Sequence, residues 1–306
     1  MTVFLVFCVF LGLLLAAAYY AYRIAFYNSY KNRDQKPNVV GAQYDAFRPR
    51  MREIYHNLKN RPCEIVTVES SDGLTLSGRY YHAADGAPLD LCFHGYRSTP
   101  MTDFSGGAEL SFAMGHNLLL VDQRAHGASR GRTITFGIKE RQDVLSWIDY
   151  ARRRFGEELP ILLYGVSMGG ATVLMASELD LPENVKGIVA DCPYSDPMDV
   201  ILYVGQSNPI PNFLIKPFIT LGARIFGGFD VGEITAREAV KHTKVPILII
   251  HGDGDTYVPC HMSDIADANP AMVTRHIFPG AEHGISYLVD TPKYSALVSD
   301  FVKIVL

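Results

Sequence analysis

The stretch Ile161-Leu162-Leu163-Tyr164-Gly165-Val166-Ser167-Met168-Gly169-Gly170 decides the fold. Its first half is an apolar run of strand length. Its second half leads into a helical run over residues 171–179. Between them lies Gly-x-Ser-x-Gly, with Ser167 at the apex of a tight turn. Such a turn needs glycines because the backbone is pinched and strand and helix pack closely. The same five residues also occur in loops that only turn the chain. The strand before and the helix after are what mark the form that presents a serine hydroxyl.

Working outward, the same alternation repeats. Residues 63–69 and 74–81 alternate apolar and polar side chains around the turn signal Ser71-Asp72-Gly73, which predicts an antiparallel hairpin. Apolar runs at 89–93, 117–121, 187–190, 246–251 and 274–278 predict further strands. Helical patterns lie at 101–114, 138–155 and 294–305. Continuous apolar strands alternating with helices mean an α/β fold with a mainly parallel, eight-stranded sheet covered on both faces. From about residue 193 to 240 the pattern breaks into apolar pieces cut by Pro197, Pro209, Pro211 and Pro217. This reads either as a long crossover or as a short helical lid. A lid here would lie past a strand's carboxyl end, where open α/β sheets bind ligands. Phe213, Leu214 and Phe218 are then candidates to cover an apolar group.

Residues 1–22 carry no charge and are almost wholly apolar. As a helix they reach ~33 Å, enough for a hydrocarbon core of ~30 Å. Tyr19, Tyr20 and Tyr22 suit an interface. A cleaved export signal is the rival reading, with Ala16-Ala17-Ala18 as its cleavage site, but no basic residue precedes the apolar run. Arg23, Lys31, Arg33 and Lys36 follow it. By the positive-inside rule they hold the rest of the chain in the cytoplasm. Residues 28–40 read as a polar linker. Within 44–58, Tyr44, Phe47, Met51, Tyr55 and Leu58 recur at helical spacing, so residues 23–62 form a juxtamembrane linker and an amphipathic helix before the body at 63–306. That helix either packs on the body or sets Arg48, Arg50, Arg52 and Lys59 against lipid head groups.

Composition narrows the chemistry. A net charge of −4 offers nucleic acid no general attraction. Five scattered cysteines (Cys8, Cys63, Cys92, Cys192 and Cys260) contain no CxxC pair. They point to neither a zinc site nor a disulfide framework, and they suit a reducing compartment.

A serine hydroxyl needs a base, and the base an orienting acid. Asp255 lies in His251-Gly252-Asp253-Gly254-Asp255, after a strand, where an acid can orient an imidazole. Asp253 competes, with turn formation as its alternative role. His283, in Gly280-Ala281-Glu282-His283-Gly284, is flanked by small residues that leave it free to reach the site. His94, His126 and His251 sit at strand ends, where hydrogen-bonding and packing roles suffice. Asp191 and Asp196, after the preceding strand, are further candidates for the acid.

Residues 63–306 resemble the α/β-hydrolase superfamily. Within it they resemble the serine aminopeptidase-like and esterase-like group in its membrane-anchored bacterial form. The resemblance rests on His94-Gly95, on Asp122-Gln123-Arg124-Ala125-His126-Gly127-Ala128-Ser129, on the Ser167 turn and on the loops of Asp255 and His283. It implies Ser167 as nucleophile, His283 as general base and Asp255 as its orienting acid. By position it implies the backbone N–H groups of Tyr96 and Met168 as the oxyanion hole. It implies no metal or organic cofactor. Carboxylic esters with an apolar acyl group are the expected substrates. Peptides and thioesters are alternatives, and a membrane-tethered binding protein on a retired fold is the reading from another class.

Overall fold

A computed structural model describes residues 1–29, 41–207 and 209–306. The expected linker therefore lies largely outside the described residues, as do Lys31, Arg33 and Lys36. The strands are β1 (Glu64–Glu69), β2 (Thr75–Tyr81), β3 (Leu89–Phe93), β4 (Asn117–Asp122), β5 (Ile161–Val166), β6 (Val185–Asp191), β7 (Ile247–Gly252) and β8 (Val273–Phe278). They form one sheet in the order β1-β2-β4-β3-β5-β6-β7-β8. β2 runs antiparallel to β1 and to β4, and every other pair is parallel. The sheet is thus eight-stranded and mixed, with its parallel portion where the apolar runs predicted it.

The helices are α1 (Thr2–Ala25), α2 (Arg48–Lys59), α3 (Pro100–Asp103), α4 (Ser105–Ala113), α5 (Glu140–Phe155), α6 (Met168–Ala176), α7 (Pro197–Val204), α8 (Asn212–Gly222), α9 (Ala236–His242), α10 (Ser286–Val289) and α11 (Thr291–Val305). They cover both faces, which is why every residue of β3, β4 and β7 is buried. In β4, Leu119 and Val121 join the core that holds Trp147 of α5 and Val173 of α6. Leu118 and Leu120 face Tyr55 and Leu58 of α2. Each buried Leu of this kind contributes about 1.5–3 kcal/mol relative to exposure.

Three expectations need correction. The pattern at 101–114 is two helices broken at Phe104, since Gly106 and Gly107 weaken a continuous one. The amphipathic helix starts at Arg48, after a single turn at Ala42–Tyr44, and buries Ile54, Tyr55 and Leu58 against the body. Its Arg50 pairs with Glu53 and with Glu109 of α4, so this helix is a packing element.

The third correction concerns α1. Residues 2–13 are exposed, and a window of α1 has a hydropathy of 2.5, long and apolar enough to cross a membrane. Its carboxyl end instead packs along α8 and into the core. Ala18, Tyr22 and Phe26 are buried. A Cβ on Gly222 would lie 2.5 Å from the Ala18 carbonyl oxygen, so the two backbones nearly touch. Tyr22, expected at an interface, hydrogen-bonds through its hydroxyl to Thr133 Oγ1 at 2.8 Å. Asn28, expected in a linker, is buried and donates to the Ala125 carbonyl at 2.9 Å.

Candidate active site

The parallel register aligns the carboxyl ends of β3, β5 and β6. Phe93 lies opposite Gly165, and Val166 opposite Asp191. At this edge β5 turns into α6 through Ser167, whose backbone is strained at φ 55° and ψ −116°. The glycines explain themselves. A Cβ on Gly169 would lie 1.7 Å from the Phe93 carbonyl oxygen, and one on Gly165 2.2 Å from that of Gly169. No side chain fits at either position, so strand and helix can pinch together and lift Ser167.

Two loops meet the serine, and they are laced together. Gly280 N–H donates to Asp253 Oδ1 at 2.6 Å, and Gly254 N–H to the Ala281 carbonyl at 3.1 Å. The Thr256 hydroxyl donates to Glu282 at 2.9 Å. Asp253 is therefore a loop fastener. Asp255 Oδ1 accepts the N–H groups of Tyr257 and Val258 at 2.9 and 2.8 Å. Its Oδ2 lies 2.6 Å from His283 Nδ1, and His283 Nε2 lies 2.9 Å from Ser167 Oγ. Asp191 is instead bound to the Tyr294 hydroxyl at 2.9 Å, and Asp196 caps α7 through Met198 N–H at 2.7 Å. Of the four acids considered, Asp255 is the one the fold brings to His283.

The electrostatics follow from these contacts. Burial opposes the charge on Asp255, but hydrogen bonds from His251 and His283 outweigh it and hold the carboxyl below its usual range. Burial likewise opposes protonation of His283, yet its bond to Asp255 and that charge raise its pKa above 6.5. Burial pushes Asp191 up to about 6.

The Tyr96 N–H and the Met168 N–H have no hydrogen-bond partner among the described residues. The N–H groups around that of Tyr96 are occupied. Gly95 N–H donates to Asp103 Oδ2 at 2.7 Å, Arg97 N–H to His126 Nε2 at 3.0 Å, and Ser98 N–H to the Gly95 carbonyl at 3.2 Å. His94 is buried and lowered to about 4, and its Nε2 accepts from Gln123 N–H at 3.2 Å. His251 Nε2 lies 2.9 Å from the Val258 carbonyl. These three histidines hold loops.

Cys192 Sγ, Asp255 and His283 also place ligand-type atoms within 4.8 Å of one another. Both nitrogens of His283 in that cluster are already engaged, by Asp255 and Ser167. Tyr44, read from sequence only as part of a helical stripe, donates its hydroxyl to the His283 carbonyl at 3.2 Å. Phe213 and Leu214 lie on the outer side of α8, 74% and 48% exposed, while Phe218 is half-buried. Phe213 lines a shallow groove with Lys216, Pro217, Thr220, Leu221 and Arg224, which does not include Ser167.

Comparison with known proteins agrees with this architecture. The profile of the alpha/beta hydrolase fold matches residues 91–211, which include the strained serine turn. The chain has the alpha/beta-hydrolase fold. Among solved structures, an esterase of Pyrococcus furiosus with this fold superposes with a TM-score of 0.66 at 22% identity, over 81% of this chain and 92% of that one. Among curated relatives, the uncharacterized protein YqkD of Bacillus subtilis is 21% identical over 252 residues, 82% of each chain. The lysophosphatidylserine lipase ABHD12 of Xenopus tropicalis is 23% identical over 239 residues, 70% of this chain and 57% of that one.

Proposed function

We propose that this alpha/beta hydrolase is a serine hydrolase of carboxylic esters. The observation that carries the reading is the continuous chain of short contacts from Asp255 through His283 to Ser167 on a strained turn. His283 takes the Ser167 proton as the oxygen attacks an acyl carbonyl. The oxyanion is met by the N–H groups of Tyr96 and Met168. The leaving alcohol departs with the proton from His283, and water then cleaves the acyl-enzyme by the same route. A missing oxyanion donor costs about 2.7–4 kcal/mol in such chemistry. An esterase and a lipase are among the proteins it resembles.

The bilayer belongs to the same proposal. The exposed part of α1, residues 2–13, covers only ~18 Å of a ~30 Å core. If α1 spans a membrane, the bilayer reaches the level where α8 packs on it. The exposed Phe213, Leu214 and Phe226 then lie at bilayer depth, with Tyr19 edge-on to Phe226 at 5.1 Å. An ester with an apolar acyl group is the substrate such a surface would meet. The body lies on the cytoplasmic side in this reading.

The test is labelling by a fluorophosphonate, which needs an activated serine. The parent chain should label and Ser167→Ala should not, with hydrolysis of acyl esters lost by several orders of magnitude. Labelling that persists in Ser167→Ala would remove the nucleophile assignment.

A further inference from the structure

An α-helix leaves its last carbonyls without partners in the helix, and they carry partial negative charge. In α1 these carbonyls are taken by side chains from one distant loop. The Tyr96 hydroxyl donates to Ala25 O at 2.8 Å. The Arg97 guanidinium donates to Ile24 O at 2.7 Å and to Tyr27 O at 3.0 Å. The guanidinium also lies 4.8 Å from the centre of the Tyr96 ring, which packs on Phe136 at 4.9 Å.

This loop carries the Tyr96 N–H. Its backbone is under tension, since Arg97 is held at φ 53°, a left-handed conformation that an L-residue adopts at a cost. Asp103 and His126 fix the flanking N–H groups, and the carbonyl of the Gly95–Tyr96 peptide accepts from Ser98 N–H at 3.2 Å and from His94 Nδ1 at 2.8 Å, while the Tyr96 N–H on its other side has no partner among the described residues. Beyond the Gly95 side of this peptide, the hold comes from the side chains of Tyr96 and Arg97, and both end at the carboxyl end of α1.

We infer that the carboxyl end of α1 is part of the catalytic apparatus: through Tyr96 and Arg97, two positioning residues, it sets where the oxyanion-hole N–H points. The apolar helix is thereby a mount for the reaction centre as well as a tether. The inference rests on the serine-hydrolase reading above. It assigns the side chains of residues 96 and 97 a role that the backbone-donor rule leaves open. Placement matters because a displacement of about 1 Å in such a site costs on the order of 10²-fold in rate.

The experiment uses the full chain in detergent micelles and in vesicles. Tyr96→Phe removes the hydroxyl alone, Arg97→Gln removes the charged fork, and Arg97→Lys retains one donor. Each of the first two should lower kcat for a short acyl ester by about 10-fold, and the pair together by about 10²-fold. KM and the thermal midpoint should stay near the parent's. Affinity for a boronic acid that forms a tetrahedral adduct should fall in step with kcat, and Arg97→Lys should recover part of both. A purely structural role would instead lower the thermal midpoint and leave the adduct affinity per folded molecule unchanged. That outcome, or parental kcat in the double variant, overturns the inference while Ser167-dependent turnover upholds the hydrolase reading. A parent chain with no Ser167-dependent turnover overturns both.

Discussion

His283 serves two partners at once, and its pKa records the balance. In the proposed mechanism turnover needs the neutral imidazole, and Asp255 raises the folded pKa above 6.5. Activity should therefore fall as pH drops through a midpoint above 6.5, read from kcat/KM across pH. Asp255→Asn removes the partner that raises it. The residual activity, lower by a factor on the order of 10⁴, should show its acid limb displaced to lower pH. Asp191→Asn should move that limb far less than Asp255→Asn, since Asp191 is the smaller influence on His283. Its effect belongs to stability. A carboxyl raised from 3.8 to about 6 stabilises the fold fully below pH 3.8, and that contribution is lost as pH rises through about 6, on the order of 3 kcal/mol. Asn at 191 should flatten that loss in urea titrations at pH 4 and pH 7. An unchanged pH dependence would mean that Asp191 is not the group responsible. At this scale Ser167, Asp255 and His283 were readable because each sits in a short local motif. Tyr44 was not, since nothing in its neighbours tells that its hydroxyl ends on a carbonyl 239 positions away.

Single elements carry two further tests. Gly169→Ala places a methyl where the Phe93 carbonyl already stands, so strand and helix must part. Such a change should cost more than the about 1 kcal/mol that separates Gly from Ala in ordinary helices, with the opposite sign. Urea midpoints of the parent and variant decide it. The second test concerns α8. Phe213→Trp should emit from within lipid when the chain is in vesicles, and brominated phospholipid should quench it as it quenches Phe10→Trp. Trp147, the one native tryptophan, is buried in the core and supplies a constant background. Quenching at residue 10 with none at 213 would place α8 in water. Strands were legible to within two residues because burial on both faces leaves mostly apolar runs at the centre of the sheet, while the hairpin alternates. Helices were less so. Phe104, where α3 gives way to α4, looks like any helical position until its neighbours are packed.

Seen whole, the molecule joins an apolar helix to a body whose strands follow from local patterns. A cytoplasmic body predicts that a fluorescent protein fused after Leu306 glows and that a phosphatase active only after export stays silent. The opposite pair of signals would reverse the topology and leave the site untouched. What sequence patterns did not convey is the docking of α1. Its carboxyl end reads as an interface segment by hydropathy, while its partners are 71 to 111 positions further along.

That separation has a consequence in time. α1 leaves the ribosome ahead of the body it packs on, and its end carbonyls must await Tyr96, which follows Ala25 by 71 positions. At about 5–20 residues per second the wait is roughly 4–14 s. During it, Ala18, Tyr22 and Phe26 have no core to enter and Asn28 has no carbonyl to bind. The proposed reaction centre is thus assembled backwards, the late loop closing on an early helix. A nascent chain stalled before residue 96 should present this apolar end to chaperone or lipid, and one stalled well past Thr133 should begin to hide it.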